Sequence, residues 1–109
     1  MPLYMFRAGY TADSWATQLQ KPVNREEALK PAVRSLGGRI ISFYYAFGED
    51  DAIVIAQMPD NKAAAALALA AASSGALSHI TTTPLMTVAE GMASMRQAKR
   101  ARYTPPGTA

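Results

Sequence analysis

The chain has no cysteine and only one histidine, His79, in 109 residues. The first absence excludes a disulfide scaffold, a thiolate nucleophile and any cysteine-ligated metal or cluster. The second leaves no multi-histidine metal site within one chain. Charge is scarce as well: 17% of residues are charged, for a net charge of +3. Four of the eleven cations (Arg96, Lys99, Arg100 and Arg102) sit near the C-terminus. The rest is close to neutral, so no nucleic-acid partner is expected. Long apolar runs are missing too. The longest, Ala63 to Ala72, is mostly alanine and too short to span a bilayer, so no membrane partner is expected. No cationic segment leads into an apolar one at the start, and the expected location is cytoplasmic. No phosphate loop, nucleotide fingerprint or serine-elbow pattern occurs, and no cofactor is expected.

What the chain does have is apolar residues, at 50%. That composition and length fit one compact domain, expected over residues 1–103, followed by a loose Pro-Gly tail over 104–109. Leu3 to Gly9 alternates as a strand. Thr11 is placed to cap a helix through Gln20, ended at Lys21-Pro22. Asn24 with Glu27 resembles a capping box and starts a second helix. Pro31 is expected to kink that helix, and Gly37-Gly38 to stop it. Arg39 to Phe47 and Ala52 to Met58 read as a hairpin across the polar turn Gly48 to Asp51. Asp60 caps a helix through Ser74, closed by Gly75. Ala76 to Met86 reads as a threonine-rich strand, and Pro84 suggests an edge. Thr87 with Glu90 opens a last helix to about Arg100. The order is βαββαβ plus a C-terminal helix. That order specifies an α+β, ferredoxin-like fold with a four-stranded antiparallel sheet and helices on one face.

The strand at Arg39 carries apolar side chains on both faces. Strict alternation sets Ile41, Phe43, Tyr45 and Phe47 on one face, with Ile40, Ser42, Tyr44 and Ala46 on the other. Helices cover one face only, so the other is expected to pack against a second copy, giving a homo-oligomer. The alanine-rich helix leaves little bulk against a neighbour. Met86, Met92 and Met95, at roughly helical spacing, are expected to fill core. The terminal cations complement the dipole of the last helix.

Several segments, in order, resemble the GYD domain family. They are Pro2-Leu3-Tyr4-Met5-Phe6-Arg7-Ala8, Arg25-Glu26-Glu27-Ala28, Pro31 and Ser35-Leu36-Gly37-Gly38. The central motif is matched by Ser42 to Asp51, followed by Pro59-Asp60-Asn61, Ser74-Gly75-Ala76 and Thr82-Thr83-Pro84-Leu85. The resemblance runs from about residue 2 to 95. One departure stands out. Asp50 occupies the position where the family's Gly-Tyr-Asp element has its tyrosine. The resemblance implies a dimeric α+β barrel and little about activity. Related barrels include monooxygenases, isomerases and binding proteins.

Candidate chemistry centres on a few residues. Arg7, Tyr44 and His79 are expected to face one cleft, and with Tyr45 to line a pocket between sheet and helices or at the seam between subunits. The guanidinium and phenols suit a small aromatic or anionic metabolite. His79 is the candidate catalytic acid or base of an alternative, cofactor-free isomerase or monooxygenase. A third reading is an assembly module without catalysis. Glu49, Asp50 and Asp51 place three carboxylates in one turn. Glu49 and Asp51 are weak metal candidates there, because consecutive side chains do not easily face one ion. Pairing of Asp51 with Arg7 or Arg39 is the structural option.

Overall fold

The structure is a computed structural model and describes residues 1–108. Eight elements follow in order: β1 (Leu3–Tyr10), α1 (Ala12–Gln20), α2 (Arg25–Ser35), β2 (Arg39–Tyr45), β3 (Ala52–Gln57), α3 (Asn61–Ser73), β4 (Leu77–Leu85) and α4 (Val88–Arg100). The strands form one antiparallel sheet in the order β2-β3-β1-β4. This is the expected ferredoxin-like arrangement, with β1 and β3 at the centre and Pro84 on an edge strand.

The helices begin where the sequence signals them. Thr11, Asn24, Asp60 and Thr87 each accept a backbone N–H from the first turn of their helix. Only Thr87 and Glu90 complete a reciprocal capping box. The Glu27 carboxylate turns to Lys30 instead, at 2.7 Å. α2 runs through Pro31 and ends in a Schellman-type stop. There Gly37 (φ 82°) donates to the Arg34 carbonyl and Gly38 to that of Val33.

Period-two alternation in the central strands builds the core. Tyr4 and Phe6 of β1, with Val54 and Ala56 of β3, are buried against Val33 of α2 and Ala64 and Leu67 of α3. Met58 and Val33 are fully enclosed. Cross-strand register places Phe43, Val54, Phe6 and Thr82 in one row of this helix-side face, and Tyr45, Ala52, Ala8 and Ile80 in the next. The opposite, open face carries Ser42, Ile55, Met5 and Thr83 in one row, and Tyr44, Ile53, Arg7 and Thr81 in another.

Two irregularities depart from strict alternation. Ile40 pairs with Ala56 and Ser42 with Ile55, which makes Ile41 the extra residue of a bulge. Ile40 therefore joins Phe43 and Tyr45 against the helices, and Ile41 is left half-exposed. Sequence alone places Ile41 with Phe43, because one inserted residue inverts the parity beyond it. The second shift lies between Gly9 and Tyr10, where Leu77 pairs with Tyr10 and His79 with Gly9.

The last helix behaves differently from expectation. Met86, Met92 and Met95 are exposed rather than core filler, and Val88 is 82% exposed. α4 follows edge strand β4, and none of its residues is buried. It stretches the molecule to 61 × 31 × 22 Å, with a radius of gyration of 17.6 Å. A compact chain of this length would have about 13 Å. No helix among the described residues is long and apolar enough to cross a membrane.

The enclosure of Met58 gives a direct check. Met58→Ala should cost about 2–5 kcal/mol in urea unfolding. Phe47→Ser, at the fully exposed hairpin tip, should stay within about 0.5 kcal/mol of the parent.

Candidate functional site

The residues singled out from the sequence divide between the two faces of the sheet. Arg7 and Tyr44 lie in one open-face row, and His79 pairs with Gly9 one step along β1 on that face. Tyr45 lies in a helix-side row. The space between sheet and helices therefore holds Tyr45 but not the other three.

On the open face, Asp50 is the hub. Its side chain is only 16% exposed, and it reaches Arg7 Nη1 at 3.7 Å and His79 Nε2 at 3.0 Å. The Ser78 hydroxyl lies 3.2 Å from His79 Nδ1. A neutral imidazole that donates its Nε2–H to Asp50 thus has Nδ1 free to accept from Ser78. The Gly9–Tyr10 register shift brings Ser78 and His79 together above Gly9. A Cβ on Gly9 would lie 2.8 Å from both His79 Nδ1 and Ser78 Oγ. The missing side chain of Gly9 therefore lets the ring lie flat across β1 toward Asp50. The Arg7 Nε is enclosed and has no partner, so the guanidinium retains a donor.

The neighbouring acid reaches the other way. Asp51 Oδ2 accepts the backbone N–H of Tyr10 at 2.8 Å, and the Asp51 backbone N–H donates to the Ala8 carbonyl at 2.8 Å. Asp51 pairs with neither Arg7 nor Arg39, and Arg39 donates to Gln57 at 2.9 Å. Among the described residues, no three His, Asp or Glu side chains gather closely enough to hold a metal ion.

On the helix side lies a concavity that was not anticipated residue by residue. An open groove of about 720 Å³ runs between α1, α2 and α3. Beneath it, an inner chamber of about 80 Å³ sits on the sheet, lined by Phe6, Phe43, Val54, Leu67 and Ile80 among others. Tyr10, Arg25, Leu29, Leu67, Ala71 and Leu77 line both spaces and bound the throat between them, with Tyr10 and Arg25 as its polar members. The Tyr10 ring meets Trp15 edge-on, with centroids 5.1 Å apart. Burial raises the Tyr10 pKa above its ordinary value of 10.0. The adjacent Arg25 guanidinium offsets part of that rise, while nearby Tyr45 and Asp51 add to it. The phenol is therefore a neutral donor at physiological pH.

Sequence reasoning missed Tyr10, Arg25, Ser78 and the hub role of Asp50. Two signals were available. Tyr10 has the parity of Tyr4 and Phe6, so a strand one residue longer puts it on the helix side. Arg25 is a cation in the first turn of α2, where the helix dipole disfavours it.

Two outcomes test this geometry. Gly9→Ala should push the imidazole off β1 and break its contact with Asp50, changing the His79 ring-nitrogen signals in long-range ¹H–¹⁵N spectra. Gly48→Ala, in open space, should leave them unmoved, and unchanged signals in Gly9→Ala would refute the packing. The second concerns alkaline pH. The unfolded chain loses the Tyr10 proton at lower pH than the folded chain, because the folded pKa is raised. The contribution of the neutral phenol is complete below the unfolded pKa and is lost as pH rises through the folded one. Tyr10→Phe should therefore lose less stability than the parent as pH rises above the ordinary tyrosine value of 10.0, as read from urea midpoints.

The crystal structure of MtbAldR resembles this fold with a TM-score of 0.56 at 14% identity, covering 79% of this chain and 53% of that one. This chain thus spans about half the length of that protein, and at such identity the likeness concerns the fold alone. No curated protein sequence matches the chain. The GYD domain model, in contrast, matches residues 4–95, nearly the whole folded body. With the ordered motifs and the ferredoxin-like sheet, that match shows that the chain belongs to the GYD domain family.

Proposed function

We propose that this protein is a homo-oligomeric binder of a small molecule, held between the sheet and the helices. One observation carries the reading: the 80 Å³ apolar chamber opens through Tyr10 and Arg25 into the 720 Å³ groove. An apolar concavity with a few convergent polar groups is the usual form of a ligand site. Self-association is supported by the open face, where Met5, Ile53 and Ile55 are partly exposed and Tyr44 is 63% exposed. Apolar surface of that extent is generally covered by a partner. α4 adds a second uncovered apolar stripe through Val88, Met92 and Met95.

A second reading is supported by the open-face cluster. Asp50 orients His79, and the partly exposed guanidinium of Arg7 lies beside them. That is the layout of an imidazole acid–base group next to an anion-stabilising guanidinium. In this reading the reaction occurs at the seam between two sheets and uses no cofactor.

One NMR fragment screen separates the two, coupled with sedimentation at micromolar concentration. The first reading predicts amide shifts around Leu29, Leu67 and Leu77, and a species of at least two subunits. Shifts confined to Arg7, Asp50 and His79 would move the site to the seam. A stable monomer would remove the oligomeric part of the proposal.

A further inference from the structure

The dimensions and donors of the helix-side site specify a ligand class. Of the twelve residues lining the inner chamber, only Tyr10 and Arg25 are polar, and both stand at its throat. The chamber's 80 Å³ is about half the 150 Å³ of an engineered apolar cavity that admits benzene. An aromatic ring is therefore too large, and a branched alkyl group of about three or four carbons fits. The throat offers hydrogen-bond donors. Arg25 is permanently charged, has five N–H donors, and forms no ion pair with any acid among the described residues. Tyr10 stands beside it with a neutral hydroxyl, able to accept from the guanidinium and donate onward. Two adjacent donors, one cationic, match the two oxygens of a carboxylate. The groove outside adds Lys21 and one acid, Asp13. That surplus suits a single negative charge and falls short of what a phosphate dianion requires.

We propose that this site binds short, branched aliphatic monocarboxylates, with the alkyl end in the inner chamber and the carboxylate on the Arg25 guanidinium and Tyr10 hydroxyl. The proposal rests on the helix-side pocket being the ligand site. It keeps the anionic character suggested by the sequence and replaces an aromatic body with an aliphatic one.

The probes are 3-methylbutanoate, its uncharged isostere 3-methylbutanamide, and benzoate, titrated into the full chain by amide NMR. The carboxylate should shift the Leu29, Leu67 and Leu77 amides at about tenfold lower concentration than the carboxamide, since the charged contact is the difference between them. Benzoate should leave the amides of Phe43, Val54 and Ile80 unmoved. Arg25→Gln should abolish the tenfold preference without changing carboxamide binding, and Arg25→Lys should keep part of it. Ala71→Phe, at a wall shared by groove and chamber, should block both probes.

Equal binding of carboxylate and carboxamide to the parent chain would overturn the charge assignment. So would an Arg25→Gln variant that weakens both alike. Benzoate entry into the chamber would overturn the size assignment. In each of these cases the pocket itself survives. If no fragment of any chemistry shifts the lining amides, the ligand-site reading beneath the proposal fails.

Discussion

Alternation along β1 governs everything else in this molecule. Side chains two apart share a face, so Tyr4 and Phe6 are locked against the helices while Met5 and Arg7 are left on the other side. Arg7 and Tyr10, three apart on one strand, must then point in opposite directions. The Arg7–Asp50–His79 cluster and the Tyr10–Arg25 throat are separated by the thickness of the sheet for that reason. The burial of Tyr4, Phe6, Val54 and Met58 makes a slip of one residue prohibitive, because it would carry the whole core set into water.

Much of this was legible in the chain. The caps at Thr11, Asn24, Asp60 and Thr87, the Gly37-Gly38 stop and the alternation of Leu3 to Gly9 define the element order, and the order defines the sheet. What escaped was parity. A bulge is one added residue whose cost depends on the neighbouring strand, so no local pattern marks Ile41 or the shift at Gly9. Those two positions decide on which face Ile40, Ser78 and His79 fall. The same limit applies to Met92 and Met95. Their spacing records an apolar stripe, but whether a stripe is buried depends on where the preceding strand delivers the helix.

Site composition followed a similar rule. Arg7, His79 and Tyr44 share a face, as their chemistry suggested, but it is the face away from the helices. The residue joining two of them is Asp50, at the position where the family's motif has a tyrosine. A carboxylate there places one oxygen 3.7 Å from the Arg7 guanidinium and the other 3.0 Å from His79 Nε2. A phenol has a single oxygen, carries no charge at neutral pH and cannot meet two partners through separate oxygens.

Asp50 and Asp51, successive residues of the turn between β2 and β3, are anchored to different strands. Asp50 reaches His79 of β4 at 3.0 Å on the open face, while Asp51 Oδ2 accepts the backbone N–H of Tyr10 in β1 at 2.8 Å. One short segment thus ties an edge strand and a central strand through its side chains, so neither strand end is left to the backbone ladder alone.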